Sequence, residues 1–225
     1  MSFLLKKSLR RSESRFRTLS KPKAHEQGIL VIVSAPSGCG KTTIVDRLLK
    51  RHPEWVRSIS VTTRSPREAE KQGEDYQFVP LDEFRKIEEA GGFLESAKVF
   101  DQYYGTPKDY VLNALKQGKT VMLALDVQGM RKIKKAVEEK VPNFTVFILP
   151  PSIKVLRERL EGRKTDSPEE IERRVSAAQE EIKDAKLYDF TVMNKNLEQT
   201  VLDVESFICE KQKERRTTTH AIRSS

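Results

Sequence analysis

The sequence has few cysteines, few aromatic residues and no long hydrophobic stretch, and these shortages exclude several classes of protein. Cys39 and Cys209 are the two cysteines among 225 residues, too few for the disulfide framework of small secreted domains. No unbroken apolar run is longer than five residues, as in Ile29 to Val33. A membrane-spanning helix needs about 20 such residues. We therefore expect a protein of the reducing cytoplasm that neither spans nor requires a membrane.

The excess of positive charge lies at the two ends of the chain. Lys and Arg outnumber Asp and Glu by 42 to 33, a formal net charge of +9. Residues 1–27 carry +6 and residues 211–225 carry +4, so the 183 residues between them carry −1. A nucleic-acid-binding domain would instead cluster its Lys and Arg on the folded surface. We predict two basic tails on a body that requires no nucleic acid, and the sequence leaves the oligomeric state open.

The N-terminal tail has two interpretations. Its apolar stretch, Phe3 to Leu5, is three residues long, whereas a secretory signal needs about 7 to 15. A disordered basic extension of a cytoplasmic protein is the favoured interpretation. The Arg- and Ser-rich, acid-poor composition is also compatible with an organelle transit peptide.

Short apolar runs alternate with amphipathic stretches from residue 28 onward. Runs that are apolar throughout are typical of strands buried on both faces of a parallel sheet. This alternation predicts an α/β fold in which helices flank a parallel sheet. The strands are predicted at 28–34, 120–126, 144–149 and 190–193, and the helices at 42–51, 128–139, 152–161, 168–186 and 197–210.

Residues 58–106 interrupt this alternation. The segments SISVTT, YQFV and FLESAKVF are short and polar, and glycines punctuate the region. We predict mostly antiparallel hairpins in a lobe inserted into the parallel core. A lobe in this place would hold a second substrate.

The segment APSGCGKT, Ala35 to Thr42, lies between the first predicted strand and the first predicted helix. Its glycines let backbone N–H groups turn towards a phosphate, and the helix N-terminus adds its dipole. Lys41 supplies a cation, and the Thr42 hydroxyl can ligate Mg²⁺. The pattern departs from a phosphate-binding loop at its first position, where Ala35 replaces glycine. We predict a nucleotide-phosphate site formed by Ala35, Pro36, Ser37, Gly38, Cys39, Gly40, Lys41, Thr42 and Thr43, with Thr42 as the metal ligand.

Two arginines, Arg64 and Arg67, lie three residues apart in the inserted segment. Paired guanidinium groups give planar donors that suit a phosphate. A solvated surface pair is the alternative, and the pair alone does not decide between the two.

Six segments in one order make the sequence resemble a guanylate kinase. They are SAPSGCGKTT, SISVTTRSPR, GEDYQFV, FLESAKVFDQYYGT, LDVQG and RLEGRKTDSPEEIERR, all within residues 28–210. The resemblance implies a P-loop NTP hydrolase-type core, 28–57 and 107–210, with a GMP-binding lobe at about 58–106 and a small lid at about 157–174. It also implies an enzyme of purine metabolism that transfers a phosphoryl group from ATP to GMP or dGMP, with Mg²⁺ as cofactor.

The resemblance also implies which side chains contact GMP. Glu95 falls where the family reads guanine, and a carboxylate suits the N1–H and N2 amino donors that guanine presents and adenine lacks. Tyr103 matches no motif position, so we expect it to pack in the core. The implied GMP site consists of Ser60, Arg64, Arg67, Tyr76, Glu95, Tyr104, Thr106 and Asp126.

The ATP side of the implied site includes a set of lid arginines. Positive charge there would counter the charge on the phosphoryl group in flight. Without the resemblance, these arginines would be ordinary solvated helix faces. Asn194 falls at the adenine end of the family's ATP site, and a turn residue is its alternative. The implied catalytic residues are Lys41, Arg64, Arg159, Arg163 and Arg174.

One departure and three alternatives remain. Ala124 stands where the family usually has a first acid before Asp126, so metal binding would depend on Thr42 and the nucleotide. A catalytically inactive, protein-binding relative is one alternative, although Lys41 and Glu95 are both present. A kinase for another nucleoside monophosphate is the second. An added nucleic-acid or anionic-membrane role of the basic tails is the third.

Overall fold

The fold is an α/β arrangement in which strands and helices alternate along most of the chain. A computed structural model describes residues 27–68, 70–137, 141–162 and 166–223. The strands are β1 (Ile29–Ser34), β2 (Val56–Arg57), β3 (Val61–Thr62), β4 (Gln77–Phe78), β5 (Phe93–Val99), β6 (Gln102–Pro107), β7 (Thr120–Leu125), β8 (Asn143–Leu149) and β9 (Phe190–Met193). The helices are α1 (Lys41–Arg51), α2 (Leu81–Glu89), α3 (Lys108–Lys116), α4 (Val127–Val137), α5 (Ile153–Glu161), α6 (Pro168–Lys183) and α7 (Leu197–Arg223).

The core is a five-stranded sheet in the order β2-β7-β1-β8-β9. Every neighbouring pair in it is parallel. All six residues of the central strand β1 are buried, which explains why this strand is apolar on both faces. The predicted parallel sheet is confirmed. Its carboxyl edge is where a ligand site is expected in such folds.

Helices cover both faces of the sheet. Successive residues of β1 point to opposite faces, so Val31 packs into one apolar cluster and Ile32 into the other. Helices α1, α5, α6 and α7 cover the first face, and α3 and α4 cover the second. The phosphate-binding loop therefore leaves β1 at a position that is fixed from both sides.

Residues 58–106 form a second sheet, in the order β4-β3-β6-β5. The prediction of mostly antiparallel hairpins is partly wrong, because β3 and β4 pair in parallel while β3–β6 and β5–β6 are antiparallel. The sequence analysis also missed α2. That helix buries only Phe84, whose ring lies 4.7 Å from the Phe93 ring, so it carries little apolar signal. We expect this lobe to move more readily than the core.

Several helix boundaries differ from prediction. The sequence analysis also missed α3, and α6 ends at Lys183 before a 3-10 turn at Asp184–Leu187. The last helix was predicted to end at 210, yet α7 continues to Arg223. No glycine or proline interrupts that stretch, and the Gln212 amide donates to the Thr120 hydroxyl at 2.8 Å. Most of the predicted C-terminal tail is therefore helical.

Two further expectations concern the N-terminal extension and membrane-spanning helices. The N-terminal extension lies outside the described residues apart from Gln27. None of the helices in the described part of the chain is long and apolar enough to cross a bilayer.

Candidate active site

A cavity of about 570 Å³ opens at the carboxyl edge of the core sheet, between the phosphate-binding loop and the inserted lobe. It brings together most of the predicted site residues, from segments that are far apart in sequence. The predicted residues that line it are Ala35, Pro36, Ser37, Gly38, Gly40, Lys41, Thr42, Thr43, Ser60, Arg64, Arg67, Tyr76, Glu95, Tyr104, Asp126 and Arg174.

The loop between β1 and α1 has the backbone that a phosphate-binding loop needs. Gly38 and Gly40 have φ angles of 94° and 89°, a region that favours glycine. A Cβ at Gly40 would lie 2.9 Å from the Asn194 amide nitrogen. Side chains are therefore excluded at Gly40 both by backbone conformation and by a neighbour.

Lys41 lies at the inner end of this loop. Its ammonium donates to the Leu125 carbonyl at 3.0 Å. Burial lowers the pKa of Lys41, while the nearby carboxylates of Asp126 and Glu181 raise it. An anionic phosphate in the cavity would add a further counter-charge and favour the ammonium form.

Asn194 packs against the loop from behind. Its side chain is 5% exposed, and its amide nitrogen donates to the Cys39 carbonyl at 2.9 Å. Its amide oxygen accepts from the Thr200 hydroxyl at 3.3 Å. Asn194 and Cys39 do not line the cavity, and the contact between them supports the loop, so their predicted contact with ATP stays a prediction.

The arginine pair of the inserted lobe is held by a carboxylate that the sequence analysis missed. Arg64 donates from one nitrogen to both oxygens of Glu70, each at 2.8 Å. The Arg67 backbone N–H donates to the same carboxylate at 2.9 Å. The Arg64 guanidinium also lies over the Tyr76 ring, 5.5 Å from its centroid. These contacts fix the guanidinium and leave its Nε–H out of the Glu70 pairing.

The tyrosines of the inserted lobe lie in two places. The rings of Tyr76 and Tyr104 meet edge to face at 6.0 Å, and both line the cavity. Burial raises the pKa of Tyr76, which keeps its hydroxyl protonated as a donor. Tyr103 does not line the cavity; it is half-buried, its ring lies 5.7 Å from the Phe84 ring, and its hydroxyl accepts from Arg85 at 3.1 Å, so its predicted place in the core stays a prediction.

Glu95 is the buried carboxylate at the opposite end of the cavity from the loop. It is 7% exposed and accepts from the Thr106 hydroxyl at 2.7 Å. Burial raises the pKa of Glu95 to about 7, although the hydrogen bond from Thr106 opposes this shift. Thr106 is fully buried and does not line the cavity; its hydroxyl supports Glu95, and its contact with GMP stays a prediction.

Gly129 allows two carboxylates to approach the start of α4. Its N–H donates to Asp126 at 2.7 Å. A Cβ there would lie 3.2 Å from an Asp126 oxygen and 3.4 Å from a Glu95 oxygen. The LDVQG segment thus joins the phosphate end of the cavity to the end that holds Glu95.

The cavity also contains the oxygens that a magnesium ion would use. The Thr42 hydroxyl, Asp126 and Glu181 all line it, next to Ala124. Burial raises the pKa of Glu181 to about 7, although nearby Lys41 lowers it. No group of three or more His, Cys, Asp or Glu among the described residues could hold a metal ion. This donor set fits Mg²⁺ bound largely through nucleotide phosphates and water.

The predicted lid arginines lie in different places. The Arg174 guanidinium donates to the Ser37 hydroxyl at 3.0 Å and to Glu170 at 2.9 Å, so it reaches the phosphate-binding loop. Arg159 donates to the Asn194 carbonyl at 3.1 Å and does not line the cavity, so its contact with phosphate stays a prediction. Arg163 lies outside the described residues.

Comparison with known proteins identifies the family. The family model described as guanylate kinase matches residues 27–211. The chain belongs to the guanylate kinase family. Its relatives include the guanylate kinase of Wolbachia sp. subsp. Brugia malayi, 44% identical over 182 residues, which cover 81% of this chain and 92% of the relative. The guanylate kinase of Rickettsia prowazekii is 44% identical over 186 residues, 83% of this chain and 93% of the relative.

Solved structures agree with this assignment. The crystal structure of guanylate kinase from Anaplasma phagocytophilum aligns with a TM-score of 0.70 at 30% identity, covering 84% of this chain and 88% of that one. In this chain one cavity lies between the phosphate-binding loop and the inserted lobe. The sequence analysis missed Asp101, which lines the cavity. It also missed Glu70, which holds Arg64, and the cavity-lining Glu170 and Glu181. The signal of these three glutamates was weak because each lies in a charged segment with several other acids.

Proposed function

We propose that this chain transfers the γ-phosphoryl group of ATP to GMP or dGMP, giving ADP and GDP or dGDP, in purine nucleotide metabolism and GMP recycling. The observation that carries this proposal is the single cavity that joins a phosphate-binding loop to a buried carboxylate. Membership of the guanylate kinase family supports the same reaction. The proposal includes the deoxynucleotide because the proposed contacts to GMP involve only its base and its phosphate.

Glu95 is proposed to select guanine. A carboxylate can accept from both N1–H and the N2 amino group, whereas adenine offers an acceptor at N1. With its pKa near 7, Glu95 is partly protonated before GMP binds. Two donors from guanine would favour the carboxylate form and so lower that pKa. Ser60 lines the same cavity and can add a hydroxyl contact.

The GMP phosphate is proposed to lie between Arg64, Arg67, Tyr76 and Tyr104. These four side chains offer N–H and O–H donors to a dianion. Glu70 orients Arg64 through one nitrogen and so leaves the Nε edge for the phosphate. The attacking oxygen of GMP is already anionic, and the reaction therefore needs no general base.

The ATP phosphates are proposed to lie in the loop, with Lys41 and Arg174 on the transferring group. Both side chains supply positive charge where negative charge spreads over the equatorial oxygens. Thr42 and Asp126 would hold Mg²⁺, directly or through water. When bound, the ion would screen the phosphate charge and orient the β- and γ-phosphates. The cytoplasmic location predicted from the low cysteine content stays a prediction.

An ADP-release assay with ATP and Mg²⁺ tests this function, with GMP, dGMP, AMP, UMP and CMP compared as acceptors. Turnover with GMP and dGMP alone is the expected result. Turnover with a different base alone would contradict the role of Glu95 and keep the kinase assignment. Absence of turnover with every acceptor would overturn the proposed reaction and favour a protein-binding role for the fold.

A further inference from the structure

The hairpin between β5 and β6 carries an unusual two-residue loop at its tip. Val99 pairs with Gln102, so the loop consists of Phe100 and Asp101 alone. Their φ angles are 45° and 67°. Hairpin loops with two positive φ angles favour Asn-Gly or Asp-Gly, and a bulky side chain in the first position is strained. The chain thus keeps a phenylalanine where local backbone preference opposes it.

The Phe100 ring faces two arginines of α6 across the mouth of the cavity. The Arg173 guanidinium carbon lies 4.9 Å from the ring centroid, and that of Arg174 lies 5.2 Å from it. Both distances are within the range of cation–π attraction. Asp101 adds an ion pair with Arg173 at 3.3 Å. That pair is exposed and contributes little by itself, so Phe100 is the principal contact.

Arg174 links this contact to the phosphate-binding loop. Its Nη1 donates to the Ser37 hydroxyl at 3.0 Å, and its Nη2 donates to Glu170 at 2.9 Å. Asp166 lies 3.3 Å from its Nε. The guanidinium edge is thereby held by α6 and the loop, while its face packs on the inserted lobe. One side chain touches three separately built parts of the cavity.

We propose that Phe100 is a positioning residue that aligns Arg174 with the transferring phosphoryl group when the inserted lobe approaches α6. This inference rests on the proposed function, in which the lobe carries GMP and Arg174 contacts the phosphates. The lobe proposed to carry GMP thus supplies the aromatic face against which Arg174 is oriented, with the guanidinium carbon 5.2 Å from the ring centroid. The ring couples the occupancy of the GMP site to the readiness of the ATP site. The strained loop is retained because the better turn residues lack that face.

Replacing the two loop residues by the pair that this turn favours gives a test in which activity should fall without a loss of stability. The variant F100N/D101G places Asn-Gly at the two positive φ angles. We expect its melting temperature to be unchanged or higher, and its affinity for GMP alone to be unchanged. We expect kcat to fall about five- to tenfold, in line with the loss of one cation–π contact. In the unaltered chain we expect a non-hydrolysable ATP analogue to tighten GMP binding, and we expect this effect to disappear in the variant.

Two single variants separate the ring from the turn. Phe100→Leu keeps the apolar volume and the strain but loses the aromatic face, so it should reproduce the fall in kcat. Phe100→Tyr keeps the face and should recover most of that loss. An unchanged kcat in F100N/D101G would overturn the inference. So would a parallel loss of melting temperature, GMP affinity and kcat, because that pattern indicates a structural role.

The assay on the unaltered chain distinguishes this inference from the proposed function. Absence of turnover with GMP in the unaltered chain would overturn the proposed function and this inference together. Suppose that the unaltered chain turns over GMP and that F100N/D101G has the same kcat and the same coupling between the two nucleotides. That result would overturn this inference alone.

Discussion

The two ends of the cavity are built in different ways. The ATP end is a backbone structure, since the loop follows a fully buried strand and Asn194 braces its Cys39 carbonyl. The proposed GMP end is built from side chains, such as the Arg64–Glu70 pair, which lies in the connection between the two-residue strands β3 and β4. Under the proposed function, one nucleotide meets a preformed cradle and the other meets a set of side chains that depend on one another. Mutations should therefore act differently at the two ends.

Removal of the loop cation should have the largest effect. Lys41→Met removes the charge that faces the transferring phosphoryl group, and we expect kcat to fall about a thousandfold. The ADP-release assay measures this loss. Lys50→Met is the matched control, because Lys50 lies on the same helix at an exposed position. Similar activity in the two variants would show that the cradle works without its cation.

Loss of the guanine-reading charge should come next. Glu95→Gln replaces an acceptor by a donor opposite N1–H, and we expect kcat/KM for GMP to fall about a hundredfold. Glu83→Gln, at an exposed position, is the control. An unchanged kcat/KM would contradict the assigned base site.

The raised pKa of Glu95 predicts two pH effects with opposite signs. The carboxylate form of Glu95 increases as pH rises through about 7. The ratio of the GMP affinity of the unaltered chain to that of Glu95→Gln should therefore increase over this range. The free energy of unfolding should instead fall between the ordinary pKa of 4.5 and about 7, because the folded state binds the proton more tightly. Titration calorimetry and denaturant melts of both proteins measure the two effects. A constant affinity ratio would contradict the first.

Loss of the carboxylate that orients Arg64 should have an intermediate effect. In Glu70→Gln the guanidinium loses a charged partner, and we expect KM for GMP to rise about five- to tenfold with little change in KM for ATP. Glu74→Gln, an exposed residue in the same lobe, is the control. An equal rise in both KM values would show that the two ends are not built independently.

Loss of the loop brace should have the smallest effect on activity. Asn194→Ala leaves the Cys39 carbonyl without this donor, and we expect about 1–3 kcal/mol less free energy of unfolding. KM for ATP should rise only about threefold, because the backbone conformation is also held by the glycines. Asn113→Ala, on the exposed side of α3, is the control. A hundredfold rise would indicate that Asn194 contacts ATP directly.

Sequence patterns predicted the ATP end better than the GMP end for a physical reason. The loop is specified by local residues, so Gly38, Gly40 and Lys41 could be placed without knowledge of the fold. The same holds for β1, whose apolar run reports burial on both faces. The helix α2 and the pairing of β3 with β4 were missed because short polar elements depend on contacts with distant residues.

Contacts between particular side chains could not be predicted from sequence patterns. Arg64 and Glu70 are close in sequence, but nothing in the letters shows that their charges meet. Arg174 and Phe100 are separated by 74 positions, and only the fold brings them together. Asn194 was assigned from its motif position, which cannot distinguish a side chain that faces the nucleotide from one behind the loop.

The continuity of the cavity has a consequence for inhibitor design. At about 570 Å³ it is of a size that suits a drug-like molecule. A heterocycle with two adjacent donors could anchor on Glu95, and an anionic arm could extend from it to Lys41. Gly129 approaches both Asp126 and Glu95 and carries no side chain, so the lining beside Glu95 is left open on that side. A compound of this kind would gain selectivity from matching the distance between Glu95 and Lys41 as much as from its contact with either side chain.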